Sequence, residues 1–180
     1  MRTLIVVAAT ATLLGLSACE RSEPAGEQAA NANAGDLTLP VSINAAMVGM
    51  IDHSADYIFA LGNGDMPRNE NDWHLVSNSA YEIVLGGAVI QIPGTGQFDR
   101  EWVENPEWIE LSDELTEIGT DAVELAQAQS TDQEAWRAVG DRLIQNCNGC
   151  HQKFKPEIPS EGILRGSTER QSRGISIFGY

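Results

Sequence analysis

Residues 105–125, "NPEWIELSDELTEIGTDAVEL", carry the pattern on which the fold turns. Asn105 followed by Pro106 is a helix start, an N-cap side chain and then a residue whose missing N–H loses nothing in the first turn. Trp108, Leu111, Leu115, Ile118, Ala122 and Leu125 then recur at alternating steps of three and four. That spacing lays an apolar stripe along one face of a helix and leaves the acidic residues to water.

The same signature extends outward on both sides. Downstream, Thr131-Asp-Gln-Glu134 reads as a capping box. It opens a helix whose stripe is Trp136, Val139, Leu143, Cys147, Cys150 and Phe154. Upstream, a pattern from about Asn71 to Val89 places Trp73, Val76, Ala80, Ile83 and Gly87 on one face. It dissolves into "GGAVIQIPGTG" (residues 86–96), where glycines and Pro93 end it and a short apolar strand is the competing reading. The first pattern runs roughly from Val41 to Leu61, with Ile43, Met47, Met50, Ser54 and Ile58 in line. Four such helices bury their stripes by packing together, so the expected fold is all-α, an antiparallel up-down-up-down four-helix bundle over residues 39–156.

The start of the chain has a different character. Residues 1–18 hold one arginine, an apolar run and small residues before Cys19. The run is too short to span a bilayer comfortably and reads as a removable signal. Leu16-Ser17-Ala18-Cys19 resembles the lipobox of bacterial lipoproteins, which implies lipidation at Cys19. Residues 19–38 are small, polar and without periodicity, as a flexible tether would be. Lipidation of Cys19 accounts for the odd thiol among the three cysteines and leaves Cys147 and Cys150 as one motif.

That motif is "CNGCH" at residues 147–151. His151 lies four residues after Cys147, so on a helix all three side chains fall to one side. A thioredoxin-like dithiol would want the pair at a helix N-terminus after a strand, whereas this pair ends a helix. Structural zinc would want a fourth protein ligand, and no second Cys-x-x-Cys or His-x-x-x-His exists. Cys-x-x-Cys-His is the spacing at which two thioethers hold a porphyrin and the histidine ligates its iron. The expected cofactor is therefore one covalently attached haem c, on Cys147 and Cys150, with His151 as axial iron ligand.

A set of four helices with "CNGCHQKF" near the end of the last one resembles the class II c-type cytochromes, cytochrome c-prime and its low-spin relatives. Phe154, an aromatic three residues beyond His151, and the basic Lys155 complete the family's motif. The resemblance spans about residues 40–155. Residues 157–180, ending in "ISIFGY", extend beyond it and have no assigned role.

The sixth iron ligand separates the functions open to such a protein. A methionine or histidine there makes an electron carrier, and an open face binds gases. In an up-down-up-down bundle the fourth helix ends where the first begins. Counted from Val41, Met47 lies about 9 Å along, Met50 about 13 Å and His53 about 18 Å. Met47 is the first choice, Met50 the second, and His53 falls beside the stripe; a core-filling role is the ordinary alternative for either methionine. A methionine early in the first helix is also what the resemblance to low-spin members implies. The expected function is one-electron transfer in the periplasm, with binding of nitric oxide, carbon monoxide or oxygen as the alternative. No acid/base constellation stands beside the motif, so enzymatic catalysis is not expected.

Charge sets the expected partners. The formal net charge is -15, with 23 acidic and 6 basic residues in 1–150 against 3 acidic and 5 basic in 151–180. An acidic body disfavours nucleic acid and anionic lipid, and leaves lipidated Cys19 as the means of membrane attachment. Glu20 after Cys19 leans towards the outer membrane. The basic end would orient periplasmic or membrane redox proteins, and the resemblance allows a homodimer through the first two helices.

Overall fold

The computed structural model describes residues 37–155 and 172–179. The signal sequence, Cys19, most of the tether and residues 156–171 lie outside the described residues. All regular structure among the described residues is helical: α1 (Ile43–Ala46), a π-helical stretch (Met47–Asp52), α2 (His53–Gly62), α3 (Glu70–Val89), α4 (Asp99–Val103), α5 (Pro106–Gln127) and α6 (Gln133–Phe154). No described helix is long and apolar enough to cross a membrane.

Each long helix begins where a side chain can take up the orphan N–H groups of its first turn. Asn105 Oδ1 accepts the Glu107 N–H at 3.0 Å, with Pro106 in the first helical position. Asn69 Oδ1 does the same for Asp72 at 3.1 Å. The start of α6 differs from the sequence expectation. Its N-cap is Asp132, not Thr131, and Asp132 Oδ1 accepts the N–H groups of both Glu134 (2.9 Å) and Ala135 (3.1 Å). A carboxylate that serves two donors and carries charge complementary to the helix dipole outcompetes the threonine hydroxyl next door.

The expected first helix is one continuous run from Ile43 to Gly62 that changes winding over Met47–Asp52. The strand-like exit of α3 forms no strand; after Val89 the chain turns through Pro93 and enters the short α4, which the sequence pattern had not indicated.

Packing follows the predicted stripes. Trp73, Val76, Ala80 and Ile83 of α3, Trp108, Leu115, Ile118 and Ala122 of α5, and Trp136, Val139 and Leu143 of α6 are buried in one core with Ile43, Ile51 and Ile58. α2 packs against α3 and α6, and α5 packs against the same two. Gly87, predicted on the α3 stripe, lets α3 approach α5 closely: a Cβ there would lie 2.6 Å from the Ser112 carbonyl oxygen. Farther along the same pair, a Cβ on Gly119 would lie 2.7 Å from the Val84 nitrogen. Gly87 meets Ser112 and Gly119 meets Val84, so numbers fall on α3 as they rise on α5. Paired contacts also run in opposite order on α5 and α6, where Asn146 meets Leu111 and Arg142 meets Asp121. On the continuous first helix and α6, Gly62 meets Arg137 near one end. At the other, Met47 and His151 border one cavity.

Residues 172–179 return to this helical body. Ser176 Oγ donates to Asp65 at 2.8 Å, the Ile177 N–H donates to the same carboxylate at 2.7 Å, and Phe178 packs on Tyr57 with ring centroids 5.9 Å apart. The described part of the extension thus anchors on the α2–α3 turn.

Candidate functional site

The last two turns of α6 are held in rotation by Asn146, a buried residue that the sequence stripe passes over. Its side-chain amide donates to the Leu111 carbonyl at 2.9 Å and to Glu114 at 2.8 Å, so both its donors reach α5. Two turns further, Lys153 pairs with Glu107. Between those ties the helix presents Cys147, Cys150 and His151 to a cavity of about 230 Å³. Ile43, Met47 and Ile51 border it from the first helix, Trp102 and Trp108 close it from the α4–α5 side, and Phe154 of α6 packs beside them. A smaller space of about 30 Å³ continues from the same residues towards Leu111 and Leu115.

The aromatic wall is stiff. Trp102 stacks on Trp108 with centroids 5.0 Å apart and planes 16° from parallel, and Phe154 meets Trp108 edge-on at 5.0 Å. Phe98, half exposed, continues the stack outward onto Trp102 at 6.2 Å. Lys155 Nζ lies 5.6 Å from the Trp102 ring centroid, a cation–π contact at the cavity's edge. The indole N–H of Trp108 is satisfied by the Ile90 carbonyl at 2.8 Å, which fixes that ring's tilt.

Cys147 and Cys150 are free thiols rather than a disulfide. Burial pushes the Cys147 thiol up to about 12, with further contributions from Cys150 and Asp52, and burial alone pushes Cys150 up to about 11. Neither is poised as a thiolate, which removes the main physical support for dithiol exchange chemistry. Burial and the nearby Lys155 lower His151 from its ordinary value and so favour the neutral ring, against an opposing influence from Asp52. Its Nδ1 is buried with no hydrogen-bond partner among the described residues. Neutral imidazole is the form in which a histidine ligates a metal.

Cys147, Cys150 and His151 do not converge with other His, Cys, Asp or Glu side chains on a point where one ion could sit, and no such group occurs among the described residues. Apolar walls, two thiols and one imidazole on a single cavity are the groups that would hold a covalently bound haem.

The other predicted residues divide clearly. Met47 borders the same cavity as His151. Met50 does not: its sulfur lies beside Gly86 of α3, 3.8 Å from where a Cβ on that glycine would stand. The π-helical winding separates the two methionines, because five rather than four residues close each turn and the faces no longer repeat as an α-helix would have them. His53 is exposed, its ring edge-on to Tyr57, and His74 is exposed on α3. The two tryptophans of the wall came from different sources: Trp108 lies on the predicted α5 stripe, whereas Trp102 belongs to the unforeseen α4.

No protein-family model, curated protein or solved structure matches this chain.

Proposed function

We propose that the protein is a monohaem c-type cytochrome of the up-down-up-down four-helix-bundle kind, working as a one-electron carrier. The observation that carries this reading is that Cys147, Cys150 and His151 open onto one apolar cavity that Met47 borders from the first helix. The helix contacts support the bundle: α2, α3, α5 and α6 each touch two others in a closed ring, with opposed residue order.

Haem bound there would supply an iron that moves between two oxidation states. The chain's own part is positional. Cys147 and Cys150 would anchor the porphyrin edge through thioethers, and neutral His151 would ligate from α6. Met47 would ligate from the first helix, its soft thioether sulfur favouring the reduced metal. Ile43, Ile51, Trp102 and Trp108 would present apolar surface to the haem, which would tune its potential. The acidic body and the lysines at positions 153 and 155 would bias which redox proteins meet this edge and how fast. Export and lipidation at Cys19, with the protein facing the periplasm, belong to the same reading and rest on residues 1–19 alone.

The test is the absorption spectrum of protein made in a host competent in haem attachment, oxidised and reduced, with and without carbon monoxide. Sharp low-spin bands indifferent to carbon monoxide are the expected result. A high-spin spectrum that shifts with carbon monoxide would replace electron transfer by binding of nitric oxide, carbon monoxide or oxygen. Absence of any haem spectrum would end the reading.

A further inference from the structure

The first helix has to begin at the right height for Met47 to face His151, and its start is held from 56 residues away. Asp99, the first residue of α4, is almost wholly buried, and its Oδ2 accepts two backbone N–H groups: that of Ile43 at 2.9 Å and that of Gly96 at 2.8 Å. Ile43 is the first residue of α1, so its N–H is one of the orphan donors every helix start leaves. Ser42 serves the Ala45 N–H of the same turn at 3.1 Å, and the Ile43 N–H goes to Asp99. Two backbone bonds flank the contact, Thr95 N–H to the Val41 carbonyl at 3.1 Å and Leu39 N–H to the Pro93 carbonyl at 2.9 Å. The seat is cut to the carboxylate. A Cβ on Gly94 would lie 2.6 Å from Asp99 Oδ2, and one on Gly96 would lie 2.7 Å from its Cγ. A buried carboxylate is costly unless its charge is answered, and here two N–H donors and the positive end of a helix answer it.

The same short helix carries Trp102, three residues on from Asp99 and so close to the same face, and Trp102 walls the cavity. Ile43, on the other side of the contact, is fully buried and borders the cavity one turn before Met47. α4 is thus joined to the cavity by its tryptophan and to the methionine-bearing helix by its aspartate.

We infer that Asp99 is the positioning residue for Met47: its carboxylate pins the start of α1 against the 93–99 loop and thereby sets whether the methionine reaches the haem iron. The inference rests on the electron-carrier reading above, in which Met47 is the sixth ligand. With the pin removed, the first turn is free to fray. The methionine side then populates a withdrawn state that leaves the iron open to an added ligand.

The experiment compares carbon monoxide difference spectra of the full-length haem protein with those of five variants. Asp99→Ala should raise the carbon-monoxide-sensitive fraction about tenfold over the parent. Asp99→Asn should stay close to the parent, since its amide oxygen can occupy the Oδ2 position and accept both N–H groups. Gly96→Ala, which keeps the carboxylate but crowds its seat, should behave like Asp99→Ala and serves if that variant does not fold. Trp136→Phe, at the far end of α6, removes a hydrogen bond without touching the seat and should leave the spectrum unchanged. A parent-like spectrum in both Asp99→Ala and Gly96→Ala overturns the inference if Met47→Ala becomes sensitive to carbon monoxide. A rise in Trp136→Phe equal to that in Asp99→Ala also overturns it, because general loosening would then suffice. A parent that already binds carbon monoxide, or a Met47→Ala spectrum identical to the parent's, overturns the sixth-ligand reading itself.

Discussion

The two ends of α6 are built on opposite plans. At its N-terminal end the helix closes everything it touches. Trp136 is fully buried, and its indole N–H donates to the Ser130 carbonyl at 2.8 Å. The Gly62 carbonyl, at the end of α2, accepts from Gln133 at 3.2 Å and from Arg137 Nε and Nη2 at 3.2 and 3.1 Å. Gly62 also packs on the α6 backbone, with its would-be Cβ 3.1 Å from Arg137 Cα. At its C-terminal end the same helix leaves an apolar cavity, two free thiols and a buried imidazole nitrogen without a partner. Folded proteins fill voids and pair buried polar atoms, so an end that does neither is an end kept for something else. In the proposed reading, stability and function are divided along one helix, about 30 Å long by its residue count.

The largest break in that contrast comes from the thiols. Replacing both Cys147 and Cys150 by serine should abolish haem that survives denaturation, while helical content is retained; haem staining of a denaturing gel reads the outcome, and unchanged staining would refute covalent attachment. At the closed end, Trp136→Ala should cost about 3–5 kcal/mol in chemical denaturation, because nothing nearby can fill so large a void. The folded fraction should keep the parent's visible spectrum, which separates the two plans directly.

Asn146 sits between them. Its change to alanine leaves the Leu111 carbonyl and Glu114 without their donor and should cost about 1–3 kcal/mol. Because Asn146 sets the rotation of the motif turn, the haem bands should shift as well; equal loss of stability with unmoved bands would make it a purely structural tie. Arg137→Met keeps the aliphatic stem but removes two donors to Gly62, and a loss of about 0.5–1.5 kcal/mol is expected. The smallest comparison concerns the helix start. Asp132→Ala should cost about 1 kcal/mol, whereas Thr131→Ala should stay within about 0.5 kcal/mol in the same denaturation assay. The reverse order would restore the capping box at Thr131.

The capping result shows where sequence reasoning loses resolution. Thr131 and Asp132 are both good N-cap residues, and only the local chain path decides which oxygen reaches two amides. The short α4 has the same cause at larger scale. Five residues have no room for a repeating stripe, and what holds Asp99 in place is Ile43, far away in the chain. Asn146 was passed over because a polar residue within a stripe is no signal until its partners on α5 are known.

What the sequence determined by itself is everything that depends on spacing within one segment. The all-helical class follows from stripes with a helical period. The side-by-side placement of Cys147, Cys150 and His151 follows because residues three and four apart share a helix face. What tertiary structure alone decided is everything that depends on a second segment. Met47 rather than Met50 borders the cavity because the first helix changes its winding between them. Trp102 forms a wall because α4 exists, and the start of the first helix is held by a carboxylate from a distant loop. Local geometry repeats with the chain and can be read from it. Contacts between distant segments are chosen by how the whole core closes, and no single stretch of sequence records that choice.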